Sequence, residues 1–155
     1  MKKQTLSTVR NKALMLMQLL RRLQEATDNG YVYCISCGAI LHYTQAQGGH
    51  YIPRRHRSTE LEPDNINPQC ARCNGFLSGN QILYRDNLVK TIGLERVERL
   101  ENMFRGEQGD EGAMDKLTLD DQIKVNTKKK ISDYQELIKD LKKCIKVEKE
   151  RLGEC

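Results

Sequence analysis

The chain has 155 residues, of which 30% are charged and only 5% aromatic, with no Trp. That leaves material for one compact domain with extensions around a thin apolar core. The net charge of +5 is too modest to prove a nucleic-acid partner, so the placement of the charge matters more. No run approaches the roughly 20 apolar residues that cross a bilayer, and the stretch from Gln4 to Val9 is too polar for a signal peptide. The expected setting is a reducing cytoplasm, with no membrane partner.

Residues 5–26 carry Leu6, Val9, Ala13, Leu16, Leu20 and Leu23 at steps of three and four, which predicts an amphipathic helix. Met15, Met17 and Leu19 widen its apolar stripe, and Asp28-Asn29-Gly30 stops it. Tyr31 leads into Cys34-Ile35-Ser36-Cys37-Gly38, a knuckle in which Gly38 permits a tight turn. A strand is expected over 39–44, a turn over 45–49 and a second strand from His50, which puts His50 on a β-hairpin. Asp64 to Gln69 reads as an extended approach to Cys70-Ala71-Arg72-Cys73-Asn74, and 70–77 as a short helix. Helices follow over 81–90 and 94–104. Residues 105–115, with three Gly among acidic residues, read as a linker. Residues 117–152 read as one long helix, in which Ile131, Tyr134, Ile138, Leu141 and Ile145 make a seam for the first helix or for a second subunit. Cys144 borders that seam as a small apolar residue, Cys155 is a frayed end, and Lys128-Lys129-Lys130 is a solvated face.

Two Cys-x-x-Cys pairs about thirty residues apart supply four thiolates, from Cys34, Cys37, Cys70 and Cys73, to one tetrahedral zinc. Such a zinc has no open position and is structural. Between the pairs stands Gly48-Gly49-His50, followed by Arg54, Arg55 and Arg57. Phosphodiester hydrolysis needs a proton acceptor, which a neutral imidazole provides near pH 7. It also needs a hard cation with oxygen ligands, such as Mg²⁺ or Mn²⁺. His50 suits the first role and the amide oxygen of Asn74 the second. Arg54, Arg55, Arg57, Arg72 and Arg85 are candidate phosphate contacts. In the opposing reading, Glu60 and Glu62 pair with the basic loop. Asn80 and Tyr84 either line the groove or serve as cap and core.

The runs Gly49-His50-Tyr51-Ile52-Pro53-Arg54, Asp64-Asn65-Ile66-Asn67-Pro68-Gln69-Cys70, Cys73-Asn74, Ser78-Gly79-Asn80 and Tyr84-Arg85 resemble the NinG (Rap) recombination proteins of lambda-like phages. They are similar to the zinc-bearing branch of the HNH nucleases and to resolvases of the endonuclease VII type. The resemblance covers residues from about 15 to 105. It implies a structure-specific DNA endonuclease acting on Holliday junctions and D-loops. It assigns His50 as general base, Asn74 as ligand of the catalytic ion, and Asn65 as the residue that ties the loop to the hairpin and orients His50. The chain departs from the usual HNH pattern at Gly49, where an Asp ligand is common. Gln47, Glu62 or His42 is the substitute the sequence offers, and Gln47 is the nearest.

The expected fold is α+β and mostly helical: an N-terminal helix (1–30), a zinc-bound ββα HNH core (31–80), a helical extension (81–105), an acidic Gly-rich linker (106–116) and a C-terminal helix (117–155). The expected partners are branched DNA, a second copy in a homodimer, and a phage or host recombinase. The competing functions are a zinc-stabilised DNA-binding module without chemistry, and a sequence-specific restriction or homing nuclease.

Overall fold

The computed structural model describes residues 4–154; Cys155 and the first three residues lie outside it. Helix α1 (Leu6–Gln24) starts where Thr5 accepts from the Thr8 amide at 3.2 Å. Its stripe of Val9, Ala13, Met17, Leu20 and Leu23 is buried, while Met15 is exposed. Strand β1 (Tyr31–Tyr33) pairs antiparallel with β2 (Ile40–His42), Val32 opposite Leu41. Strand β3 (Gln47–His50) does not join this pair. It runs antiparallel to β4 (Ile66–Gln69), His50 opposite Ile66. The expected hairpin of 39–53 is therefore replaced by two separate two-stranded sheets. The segment 64–69, expected as a plain approach, supplies the partner strand.

After β4 comes a wide helical turn, Arg72–Phe76, closed by Leu77 N–H donating to Arg72 O five residues back. Helices α2 (Gln81–Ile92) and α3 (Leu94–Glu107) follow, separated at Gly93 with φ of 88°. Residues 106–116 are not a linker. Asp110 caps the short helix α4 (Glu111–Met114), Ala113 is buried, and the Met114 side chain packs over Gly106. The expected single C-terminal helix is two: α5 (Leu119–Asn126) and α6 (Ile131–Arg151). Lys130 and Asp133 start α6, the Lys130 amide donating to the Asp133 carboxylate at 2.7 Å.

The architecture is a mostly helical α+β fold with two small antiparallel sheets. Tyr134, Ile138, Leu141 and Ile145 of α6 pack on α1, so the seam closes within one chain. Cys144 lies off that contact and is exposed, contrary to expectation. The other face of α1 meets β3 and β4. Gly48 makes this approach possible: a Cβ there would lie 2.6 Å from Gln18 Cβ. A second core of Ile52, Tyr84, Leu88, Val97 and Leu100 joins α2 and α3 to the start of the loop after β3. Among the described residues, no helix is long and apolar enough to cross a membrane.

Candidate functional site

The four thiols come from the ends of β1 and β4. Cys34 and Cys37 flank the turn completed by Gly38, whose N–H donates to Cys34 O at 2.8 Å with φ of 73°. Cys70 and Cys73 open the wide turn. The ligand atoms of Cys34, Cys37, Cys70 and Cys73 all lie within 4.8 Å of one another. Cys37 and Cys70 sulfurs are 3.8 Å apart, too far for a disulfide. Zinc–sulfur bonds of about 2.3 Å at tetrahedral angles place sulfurs about 3.8 Å apart, so the cluster fits a structural zinc. Second contacts are in place: Cys73 N–H donates to Cys70 Sγ and Asn80 Nδ2 to Cys73 Sγ, each at 3.5 Å. Burial pushes the Cys73 thiol up to about 12; Asn80 opposes this, and Cys37, Cys70 and Cys34 add to it. Metal binding must displace that proton, which makes affinity depend on pH.

Beside the knuckle lies a cleft of about 390 Å³ lined by His50, Asn74, Arg54, Gln18, Ser78 and Gly79, among others. His50 and Asn74 thus share one space, although 24 residues of sequence separate them. Residues 78–80 reach the cleft through three consecutive left-handed conformations, with φ of 50° at Ser78, 90° at Gly79 and 47° at Asn80. Gln69 Nε2 donates to Gly79 O at 2.8 Å, and Gly79 N–H to Cys73 O at 2.8 Å, so the strained corner is anchored to the knuckle.

His50 Nε2 lies 2.9 Å from Glu60 O. A carbonyl only accepts, so the neutral ring carries its hydrogen on Nε2 and keeps the Nδ1 lone pair. Burial lowers the His50 pKa; the Glu60 carbonyl opposes this and Arg54 adds to it. The imidazole is therefore neutral at pH 7 and able to accept a proton. Asn65 is fully buried behind it. Its Oδ1 accepts from Ile52 N–H at 2.7 Å, and its Nδ2 donates to Ile52 O and Thr59 O, both at 3.0 Å. One side chain thereby fixes both ends of the loop that carries the His50 partner.

Asn74 Nδ2 donates to Gln47 Oε1 at 2.6 Å. The Gln47 oxygen is engaged, and the Asn74 oxygen is left for a ligand. Gly49 cannot hold the carboxylate common at that position: a Cβ there would run into the Gln69 amide. The oxygen of that amide is buried and has no hydrogen-bond partner among the described residues. Glu62 does not substitute, because it pairs with Arg99 and Lys124 at 2.8 and 2.9 Å. His42 belongs to β2 and bonds Thr44 at 2.8 Å. Of the residues weighed for a hard cation, Asn74 is the one whose oxygen is open to the cleft.

Glu60 and Glu62 do not neutralise the basic loop. Glu60 is fully buried, paired with Arg10 of α1 and accepting from Tyr134 Oη of α6 at 2.9 Å. Among the described residues, Arg54, Arg55, Arg57 and Arg72 are exposed and their guanidinium groups form no ion pair, although the Arg57 backbone N–H donates to Glu107 at 3.2 Å. Arg85 differs from them: it bonds Glu101 at 2.6 Å.

The family model described as "Bacteriophage Lambda NinG protein" matches residues 1–146. The chain belongs to the NinG family. It is 40% identical over 77 residues to Protein ninG of Escherichia phage lambda, a stretch covering 44% of this chain and 34% of that protein. Protein ninG of Escherichia phage 933W gives the same identity and coverage, and that of Salmonella phage P22 is 39% identical over 77 residues. The match thus spans about a third of the length of these curated relatives. No solved structure matches.

Residue-by-residue reading of this NinG-family chain missed the contacts of Glu60 and Gln69 and left Tyr84 open between groove and core. Glu60 resembled an ordinary loop carboxylate, since its partners lie 50 and 74 positions away in sequence. Tyr84 is fully buried, and its hydroxyl donates to Gly49 O at 3.0 Å, steadying β3. Gln69 fills the space beside Gly49. The Gly49-His50 step was the one available signal, because a glycine there requires a neighbour that takes the room.

Proposed function

We propose that this chain is a metal-dependent, structure-selective DNA endonuclease of the HNH type. In this reading it cuts branched recombination intermediates such as Holliday junctions and D-loops in the host cytoplasm. The observation that carries the reading is the shared cleft: His50 with a neutral imidazole held through Nε2, Asn74 with its amide oxygen free, and Arg54 line one space. β3, β4 and the wide turn that follows form the ββα core of the reading, and zinc on the four cysteines has a structural role.

His50 takes the proton of the attacking water at Nδ1, and Asn65 and Glu60 hold the ring for that transfer. Asn74 Oδ1 would hold Mg²⁺ or Mn²⁺, which would supply neutralisation of the phosphate and the leaving oxygen. Arg54, Arg55 and Arg57 grip the flanking backbone, which gives affinity without sequence information and suits a substrate recognised by shape. A two-fold dimer working with a phage or host recombinase would place two symmetric cuts. The α1–α6 seam is occupied within the chain, so that contact lies elsewhere.

Nicking of a synthetic four-way junction with Mg²⁺ or Mn²⁺, absent with a chelator in excess of those ions, is the expected result. Gly49 favours a second reading, a zinc-stabilised DNA-binding module without chemistry, because it removes the usual carboxylate ligand. Junction binding with no nicking in either metal would support that reading and sink the first.

A further inference from the structure

The cleft has a neighbour that the reaction does not use. A second concavity of about 390 Å³ opens beside it, and Pro53 and Gln81 line both. Its walls include Tyr51, Ile52 and Phe104, with Gln81, Glu101 and Arg105 as polar groups. The volume is that of a small-ligand cleft. Tyr51 is held in place. Its ring lies against Tyr84 with centroids 5.6 Å apart, and its hydroxyl donates to Glu101 at 2.6 Å. Glu101 also accepts from Arg85 Nε at 2.6 Å. Burial works against its charge, but the hydrogen bonds from Arg85 and Tyr51 outweigh it and hold the carboxyl below its usual range. Phe104 stands on the far side, edge-on to His56 at 4.5 Å.

Aromatic and aliphatic walls with the Gln81 amide and the Arg105 side chain match one ligand chemistry especially well: a planar heterocycle with polar edges. The shared rim sets its source. A strand whose phosphate sits between His50 and Asn74 has its adjacent nucleotide at Pro53 and Gln81. Arg54, next to Pro53 and lining the first cleft, favours a polyanion running along that rim. We infer that the Tyr51–Phe104 concavity takes one unpaired base of branched DNA, from the nucleotide next to the phosphate in the His50 cleft. A base in continuous duplex is stacked and paired and cannot enter without unstacking, whereas a branch point offers one at low cost. The concavity would thus select for branches without reading sequence. This inference rests on the endonuclease reading of the neighbouring cleft.

The test compares the affinity of the full chain for two four-way junctions, one intact and one abasic at the branch nucleotides, with Ca²⁺ replacing Mg²⁺ or Mn²⁺. The intact junction should bind about tenfold more tightly. Tyr51→Ala should abolish that difference, and Tyr51→Phe, which keeps the ring, should retain it. Equal affinity for the two junctions, or a difference that survives Tyr51→Ala in a folded variant, overturns the inference. Should Tyr51→Ala fail to fold, Phe104→Trp decides: the chain has no Trp, so emission reports on this concavity alone. Quenching by the intact junction but not by the abasic one is expected, and identical emission overturns the inference. Base-dependent binding without cleavage in Mg²⁺ or Mn²⁺ would leave the base site standing and defeat the nuclease reading. Cleavage without base dependence would do the reverse.

Discussion

The two halves of the molecule are held together by different forces. The helical half, α1 against α6, is an apolar seam: Val9, Ala13, Met17 and Leu20 meet Tyr134, Ile138, Leu141 and Ile145. The site half shares in this packing, since Val32, Tyr43, Ala46 and Ile66 join the cluster of Met17, Leu20 and Leu23, but it adds a large polar component. Its strands are three or four residues long, and its interior holds Asn65, Asn67 and Gln69, each nearly or fully buried. What distinguishes it is four thiols at one point and side-chain amides bonded to loop carbonyls. Apolar packing is forgiving in direction, whereas metal–thiolate and amide bonds have fixed angles and lengths. Directional bonds therefore surround the residues whose placement matters most, and the apolar seam supplies the platform. Glu60 joins the two, with its side chain in the α1–α6 layer and its carbonyl on His50.

Chelation should divide the halves most sharply. Stripping zinc should remove amide hydrogen-exchange protection from residues 31–80 while the α1–α6 amides stay protected. Uniform loss in both halves would mean that they form one cooperative unit. Next in size, Leu23→Ala, at a fully buried position, should cost about 3 kcal/mol in denaturant unfolding and leave zinc stoichiometry unchanged. Glu60→Gln addresses the joint. It removes a buried charge paired with Arg10, and a loss of about 2 kcal/mol is expected. Cleavage should fall as well, because the Glu60 carbonyl would no longer be fixed against His50. A stability loss with unchanged cleavage would show that the joint does not matter to the site. The smallest effect concerns pH. Because burial depresses the His50 pKa, the base stays deprotonated below the ordinary imidazole value. The acid limb of the cleavage rate should then lie below about pH 6.5. A limb above that value would place the proton acceptor elsewhere.

The same division governs what the sequence made legible. The α1 and α6 seams were readable because their periodicity is local, and the two Cys pairs because their spacing is itself the ligand geometry. The pairing of β3 was not. Gln47, Gly48 and Gly49 carry no alternation of apolar and polar residues, and the partner strand lies beyond a loop from Tyr51 to Glu62. Only the close approach of Gln18 on one side and Gln69 on the other explains the glycines. Residues 106–116 misled because glycine and acidic residues suggest a flexible tether. Here Asp110 is a helix cap, and Gly106 is the floor for Met114. The break between α5 and α6 falls at Thr127–Lys130, with neither proline nor glycine to announce it. Of the candidate site residues, His50, Asn74 and Arg54 meet in one cleft. The pairing of Arg85 was not legible, because its partner, Glu101, sits on another helix.

The most direct test of the account is the cleavage rate of a four-way junction by the parent chain, His50→Ala and Asn74→Ala, at equal zinc content and in Mg²⁺ and Mn²⁺. The account predicts metal-dependent cutting by the parent and a loss of about 100-fold or more in His50→Ala. Asn74→Ala should also fall, and recover in part as the divalent metal concentration rises. His50→Ala cutting as fast as the parent would contradict the account.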